Sequence, residues 1–186
     1  MLSAAAIELL VCWFAWGYPF ILRTPHRQKR LSVTDPVSTW IGMTLQGAAI
    51  FVAWSFRYTR GDTPDMPRVL LSMAMGPCAA ILGWNSVKHL GRQFRVSAGV
   101  FVDHELVRTG PYRVVRHPVY ASLLLLLLST LLLLTPWPWC GISLALYLAG
   151  AEIRIRAEDR LLASHFGEDF AKYRREVRAA YIPFLR

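Results

Sequence analysis

The chain has 186 residues, 54% of them hydrophobic and 12% aromatic, with a mean hydropathy of +0.34. One soluble core of this length cannot bury that much apolar surface, so an ordinary globular domain is excluded and an integral membrane protein is expected. The formal net charge of +9 reads as basic residues retained on one side of a membrane, not as nucleic-acid binding, and Cys12, Cys78 and Cys140 lack the spacing of a disulfide framework or a zinc site.

Five apolar stretches follow in chain order. Leu2 to Leu22 carries a single acidic residue, Glu8, without a basic leader or a cleavage site, and reads as a retained helix and not a signal peptide. Pro36 to Phe56 and Val69 to Val87 are uncharged. Pro118 to Leu134 holds a leucine run, which Thr135-Pro136-Trp137-Pro138-Trp139 breaks with two prolines and two tryptophans, a tight turn at a membrane surface. The fifth, Trp137 to about Glu152, is short, so its helix continues out of the bilayer into a charged tail. From Arg154 to Arg178 the residues Ile155, Leu161, Leu162, Phe166, Phe170, Tyr173 and Val177 recur at helical spacing, an amphipathic helix with an interruption or cap at Phe166-Gly167. That tail alone would serve as a membrane-surface anchor, with Tyr181 to Leu185 interfacial.

The fold expected is therefore all-α and integral to the membrane: about five transmembrane helices, a hairpin of the fourth and fifth, and a cytoplasmic amphipathic helix at the carboxyl end. Length allows one domain over 1–186, with helices of 1–87 ahead of a chemically richer portion, 88–186. Of the 21 lysines and arginines, 18 fall in the Arg23 to Asp35 connection, the Lys88 to His117 segment and the tail from Glu152. Only Arg57, Arg60 and Arg68 lie on the other side. This asymmetry puts the amino terminus outside and the third connection and tail in the cytoplasm, where the two pieces form one site.

The densest cluster of chemistry is Gly110 to Tyr120, GPYRVVRHPVY, at the mouth of the fourth helix. Charges there are costly in hydrocarbon, about 2.5 to 3.5 kcal/mol each near the bilayer centre on the mildest scale, so the cluster belongs at the water boundary. Simpler readings exist for each residue. Arg154 and Glu158, at i,i+4, would form an exposed ion pair; His117 would snorkel to water; Tyr112 and Tyr120 would join an aromatic belt; Arg113 and Arg116 would meet lipid phosphates; Asp159 would partner basic side chains. His89 and His165 have no ligand-like companions, and no metal is expected.

GPYRVVRHPVY, the hairpin, and AEDRLLASHFGEDFAKYRREV followed by Ile182-Pro183 together resemble the isoprenylcysteine carboxyl methyltransferase and phospholipid methyltransferase superfamily over about Leu90 to Pro183. The resemblance implies a membrane enzyme that uses S-adenosylmethionine, releases S-adenosylhomocysteine and lacks a Rossmann fold; no glycine-rich nucleotide-binding turn is present. It implies cofactor contacts at His104, Glu105, Leu106, Val107, Tyr112, His117, Pro118, Val119, Tyr120 and Glu158, and contact with the methyl acceptor at Arg154. The acceptor would be lipophilic and drawn from the bilayer. The first two helices match only in kind and carry no vote on substrate. Ser122 stands where the family typically has glycine, and an upstream polar residue, for which Ser97 is the nearest candidate, is unassigned.

Methyl transfer is in-line displacement from a sulfonium, so the protein chiefly positions the reactants and manages charge. A carboxylate acceptor is already ionised at neutral pH and needs only an arginine, whereas an amine must first lose a proton, to His117 or a tail carboxylate. Arg154 favours carboxyl O-methylation of an isoprenylcysteine-like acceptor; phospholipid amines and thiols are alternatives. An NADPH-dependent sterol or enone reductase and a non-enzymatic scaffold are the readings from other classes.

Overall fold

A computed structural model describes residues 2–22, 30–33, 36–58, 62–91, 99–101 and 105–182. All five apolar stretches are helical: α1 (Leu2–Leu22), α2 (Pro36–Ser55), α3 (Met66–Leu90), α4 (Pro118–Leu134) and α5 (Trp137–Phe166). Leu2–Leu22, Val37–Ser55 and Met66–Leu90 are long and apolar enough to cross a membrane, and α4 is a shorter apolar helix. Many large apolar side chains on α1 to α3 face outward, among them Phe14, Ile21, Trp40, Phe51 and Ile81, as lipid-facing surfaces do. α3 outruns its apolar stretch because Asp65 caps it, accepting from the Arg68 amide at 3.3 Å, with Pro67 in the first turn.

The architecture is helical, with one short pair of strands added to it. Residues Arg30–Val33 (β1) and Gly99–Phe101 (β2) pair antiparallel, with an irregularity between Arg30 and Ser32. This short ribbon ties the α1–α2 connection to the segment after α3, so the two lie on one side of the helices.

α5 packs chiefly on α2, and α4 chiefly on α3, which also meets α1. Small residues make the α2–α5 crossing close: a Cβ at Gly150 would come within 2.7 Å of the Gly42 carbonyl oxygen, and one at Gly42 within 2.8 Å of that of Gly150. Across the hairpin, α4 and α5 meet through large side chains instead. Tyr147 is fully buried and donates its hydroxyl to the Tyr120 carbonyl at 2.6 Å, within a cluster that includes Leu124, Leu127, Leu131, Ala151 and Ile155.

A leucine-rich helix has no strong preference for which face turns inward, and the few hydroxyls of α4 set its rotation. Ser122 accepts from Trp16 Nε1 at 2.9 Å and Thr130 accepts from Trp13 Nε1 at 3.0 Å, both from α1. Ser129 and Ser72 of α3 exchange bonds to each other's carbonyls at 2.9 and 2.8 Å. Thr135, just after α4, donates to the Ala53 carbonyl of α2 at 3.0 Å. Ser122 is thus accommodated where a glycine was the expectation: the space is supplied opposite, at Gly83, whose Cβ would lie 2.6 Å from Trp16 and 3.3 Å from Ser122 Oγ.

Arg68, counted in sequence simply as a charge on the far side, is buried. It donates to the carbonyls of Leu131, Leu132 and Thr135 at 2.9, 3.0 and 2.6 Å, also bonds Tyr58, and stacks over Trp137 at 4.4 Å. Its guanidinium therefore closes the open carbonyl end of α4 and pins the turn into α5, where a cation is also favoured by the helix dipole.

The tail departs from the surface-anchor expectation. α5 runs unbroken to Phe166, Gly167 turns the chain with φ +49°, and α6 (Glu168–Glu176) follows. The apolar face of α6 packs on protein: Phe170, Tyr173 and Val177 are buried with Leu106, Leu162 and Phe166. Beyond it the chain passes beneath the entrance to α4, and Tyr181, expected at the interface, is buried beside Tyr120, Tyr147 and Ile155 in the central cluster. Pro183 to Leu185 lie outside the described residues.

Candidate active site

The site grows from the entry to α4. Gly110, with φ +59°, lets the 3-10 turn Gly110–Arg113 seat against the His89 ring at the end of α3, where any side chain at 110 would collide. Tyr112 is buried there, its carbonyl accepting from the Tyr173 hydroxyl of α6 at 2.7 Å. The amides of Arg116 and His117 then donate to the carbonyls of Ala179 and Ala180 at 3.0 and 2.7 Å, clamping the tail to the α4 entrance. Pro118 opens α4 fully buried; it has no amide hydrogen to satisfy, and a first-turn position needs none.

His117 is buried between two carboxylates from the charged part of α5, beyond its apolar stretch. Nε2 lies 2.8 Å from Asp159 Oδ1, and Nδ1 lies 3.3 Å from Glu158 Oε2. Each ring nitrogen faces an acceptor, so both must carry hydrogen, and the doubly protonated ring fits where neither neutral tautomer does. Burial alone would discourage the charge. The bonds to Asp159 and Glu158 outweigh it and carry the imidazole from 6.5 to about 9. Burial likewise would raise both carboxyls, but His117 holds them below their ordinary range, helped by Arg154 at Glu158 and by Arg116 at Asp159.

Tyr120 links this cluster to Arg154. Its hydroxyl bonds Glu158 Oε1, and the Arg154 guanidinium sits 5.0 Å over its ring. Arg154 Nη1 also donates to Gln46 Oε1 of α2 at 3.0 Å. The spacing argument that put Arg154 and Glu158 on one helix face holds, but the partners differ from a simple surface pair: Glu158 turns to His117 and Tyr120, and Arg154 turns to α2.

His117, Tyr120, Arg154 and Glu158 thus come together, with Asp159 joining as partner of His117 and of Arg116 at 3.5 Å. Two simpler readings are corrected. His117 does not snorkel to water, and Arg116 does not face lipid: it is buried, donating to the Val177 and Arg178 carbonyls at 2.8 and 2.6 Å, acceptors that the folded-back tail brings to it beside Asp159. Arg113 is exposed. Val119 lends its carbonyl to Ser122. Of the segment expected to meet the cofactor, His104 lies outside the described residues, as does Ser97; Glu105 is exposed, Leu106 belongs to the α6 cluster and Val107 is half-buried. Gln46 and Gly42 were missed by sequence reading; the one signal was a lone glutamine inside an uncharged apolar stretch.

Among the described residues no group of three or more His, Cys, Asp or Glu is arranged to hold a metal ion. No curated protein matches the chain. The model of the isoprenylcysteine carboxyl methyltransferase family matches residues 72–164, half of the chain, a span that includes His117, Tyr120, Arg154, Glu158 and Asp159. A membrane-helical chain whose matched half holds this cluster is a methyltransferase by family, and the chain belongs to the isoprenylcysteine carboxyl methyltransferase family.

Proposed function

We propose that this protein transfers a methyl group from S-adenosylmethionine to the carboxylate of a lipophilic, isoprenylcysteine-like acceptor at the cytoplasmic face of the membrane. The observation that carries the reading is the position of Tyr120, with an arginine over its ring and a carboxylate on its hydroxyl, so that a cationic and an anionic subsite adjoin.

The donor set suits the cofactor. Glu158 is ionised and its side chain about a quarter exposed, leaving an anionic edge for a cationic ligand beside two tyrosines. Glu158, Tyr120, Tyr112 and the His117 to Val119 backbone would hold it, together with the segment from His104 to Val107. When bound, the cofactor supplies a methyl group on a sulfonium, open to in-line displacement by an acceptor oxygen.

The chain's own residues then do three things. His117, as imidazolium, fixes Glu158 and Asp159 and keeps both ionised. Arg154 presents a cation that orients an acceptor carboxylate, which reacts without losing a proton. Arg116 and the 179–180 backbone hold the α4 entrance against the tail. An amine acceptor fares worse on these contacts: His117 is already protonated at neutral pH and cannot serve as the base, and Arg154 repels an ammonium.

The charge asymmetry supports an outside amino terminus and a cytoplasmic site, and the β1–β2 ribbon supports grouping the two basic connections on one side. Calorimetry with S-adenosylhomocysteine tests the site: Glu158→Ala weakens binding, while Arg154→Ala keeps it and loses turnover. Unchanged affinity in the Glu158 variant overturns the placement. Labelled cofactor added to membranes with a prenylcysteine analogue yields a base-labile methyl ester; label on lipid amines or thiols instead overturns the acceptor.

A further inference from the structure

Gln46 sits in the middle of α2 and is buried, in a helix without charge. A guanidinium has only donors, so the atom facing Arg154 must be the side-chain oxygen, and the amide nitrogen is left on the other side of the same group. That nitrogen is buried with no hydrogen-bond partner. The nearest acceptor is the Tyr147 hydroxyl oxygen, whose own hydrogen goes to the Tyr120 carbonyl at 2.6 Å; it interacts with Gln46, but the contact falls short of hydrogen-bond geometry. A glutamine serving only to glue two helices would satisfy both ends, since a stranded buried donor is destabilising. One turn earlier on the same face, Gly42 makes room for the arginine's stem: a Cβ there would overlap Arg154 Cγ and lie 3.0 Å from Cδ.

We propose that α2 builds the acceptor side of the site, with Gln46 as a positioning and specificity residue. Gly42 lets the Arg154 stem lie against the α2 backbone, the Gln46 oxygen fixes the guanidinium, and the Gln46 amide supplies a second donor to an acceptor carboxylate. The inference rests on the carboxylate reading above and extends it to a helix outside the family match at 72–164. It also reverses the expectation that the first two helices have no bearing on substrate.

The test is equilibrium binding in detergent, with S-adenosylhomocysteine saturating, of N-acetyl-S-farnesylcysteine and of its methyl ester. The two differ at the carboxylate alone. Wild type prefers the acid by about tenfold or more, the scale of one hydrogen bond to a charged group. Gln46→Met, similar in volume but without donor or acceptor, brings acid and ester within about threefold of each other while S-adenosylhomocysteine affinity is kept, which also shows that the variant folds. In turnover the same variant raises KM for the acid more than it lowers kcat. Gln46→Glu sets an anion against Arg154 and removes the preference for the acid altogether. If wild type discriminates and Gln46→Met discriminates equally, Gln46 has no such role and the carboxylate reading survives. If wild type binds acid and ester alike, the carboxylate reading falls and takes this inference with it.

Discussion

Raising the pH through 9 should dismantle the His117 cluster, and the size of the effect follows from the geometry. The imidazole moves from 6.5 to about 9 on folding. At about 1.4 kcal/mol per unit, that difference corresponds to about 3 kcal/mol of linkage. Its sign is fixed by which state binds the proton more tightly. The folded protein does, so the contribution is complete below pH 6.5, declines as the pH climbs toward 9 and is gone above it. For a chain of this size about 3 kcal/mol corresponds to a melting-temperature change of about 6 to 12 °C. Thermal unfolding in detergent from pH 6 to 10.5 measures it, comparing wild type with His117→Asn, which keeps a donor but cannot take up a proton. Other groups titrate in the same range in both proteins, so the difference between the curves is the readout. Wild type is the more stable at pH 6, and the gap closes by pH 10. Parallel curves would refute a buried imidazolium and reopen His117 as a base for an amine acceptor. On the acid side, Asp159 and Glu158 are held below their ordinary values of 3.8 and 4.5, so their contribution is present above those values and disappears as the pH falls further.

Three further outcomes are expected. Arg68→Leu strips three carbonyls of their donor and should cost on the order of 3 kcal/mol, read as a lower melting temperature, with S-adenosylhomocysteine affinity intact because Arg68 closes the opposite end of α4 from His117. Tyr181→Ala empties a buried position in the central cluster and should cost about 3 kcal/mol; it also loosens the 179–180 clamp, so cofactor affinity falls with it. In a double-mutant cycle, Trp16→Phe and Ser122→Ala should show a coupling of about 1 kcal/mol, and additive effects would mean that their 2.9 Å contact contributes nothing.

Sequence patterns reveal the five longer helices because each contains a long apolar run bounded by proline, glycine or charge, and the observed ends of α1 and α4 coincide with those runs. The grouping of His117, Tyr120, Arg154 and Glu158 was likewise legible, since two motifs flanking one short turn must meet at the same membrane surface. What could not be read depends on contacts between distant segments. Nothing near Arg116 announces that the Val177 and Arg178 carbonyls will return to it, so an arginine beside a helix end reads as a lipid partner. Tyr181 next to the terminus reads as an interface anchor until the tail is seen to fold back. Residues 30–33 and 99–101 are too short for an alternating pattern, and the ribbon they form emerges only from their pairing. Gln46 was hidden for a different reason: one polar residue barely alters a hydrophobic stretch, and its meaning depends on which helix crosses there.

If the site works as proposed, that crossing also orders the reactants by depth. Gly42 and Gln46 lie about 9 to 15 Å along α2 from its first residue, so Arg154, which they hold, is set well inside the helix pair, while Glu158 stands one turn, about 6 Å, nearer the end where α2 begins. On the proposed reading, a lipid-borne carboxylate sliding in the membrane plane would meet the arginine without rising into water, and a water-borne donor would meet the glutamate without entering oil. Each reactant would halt at the level its own solubility dictates, with a single helical turn between those levels.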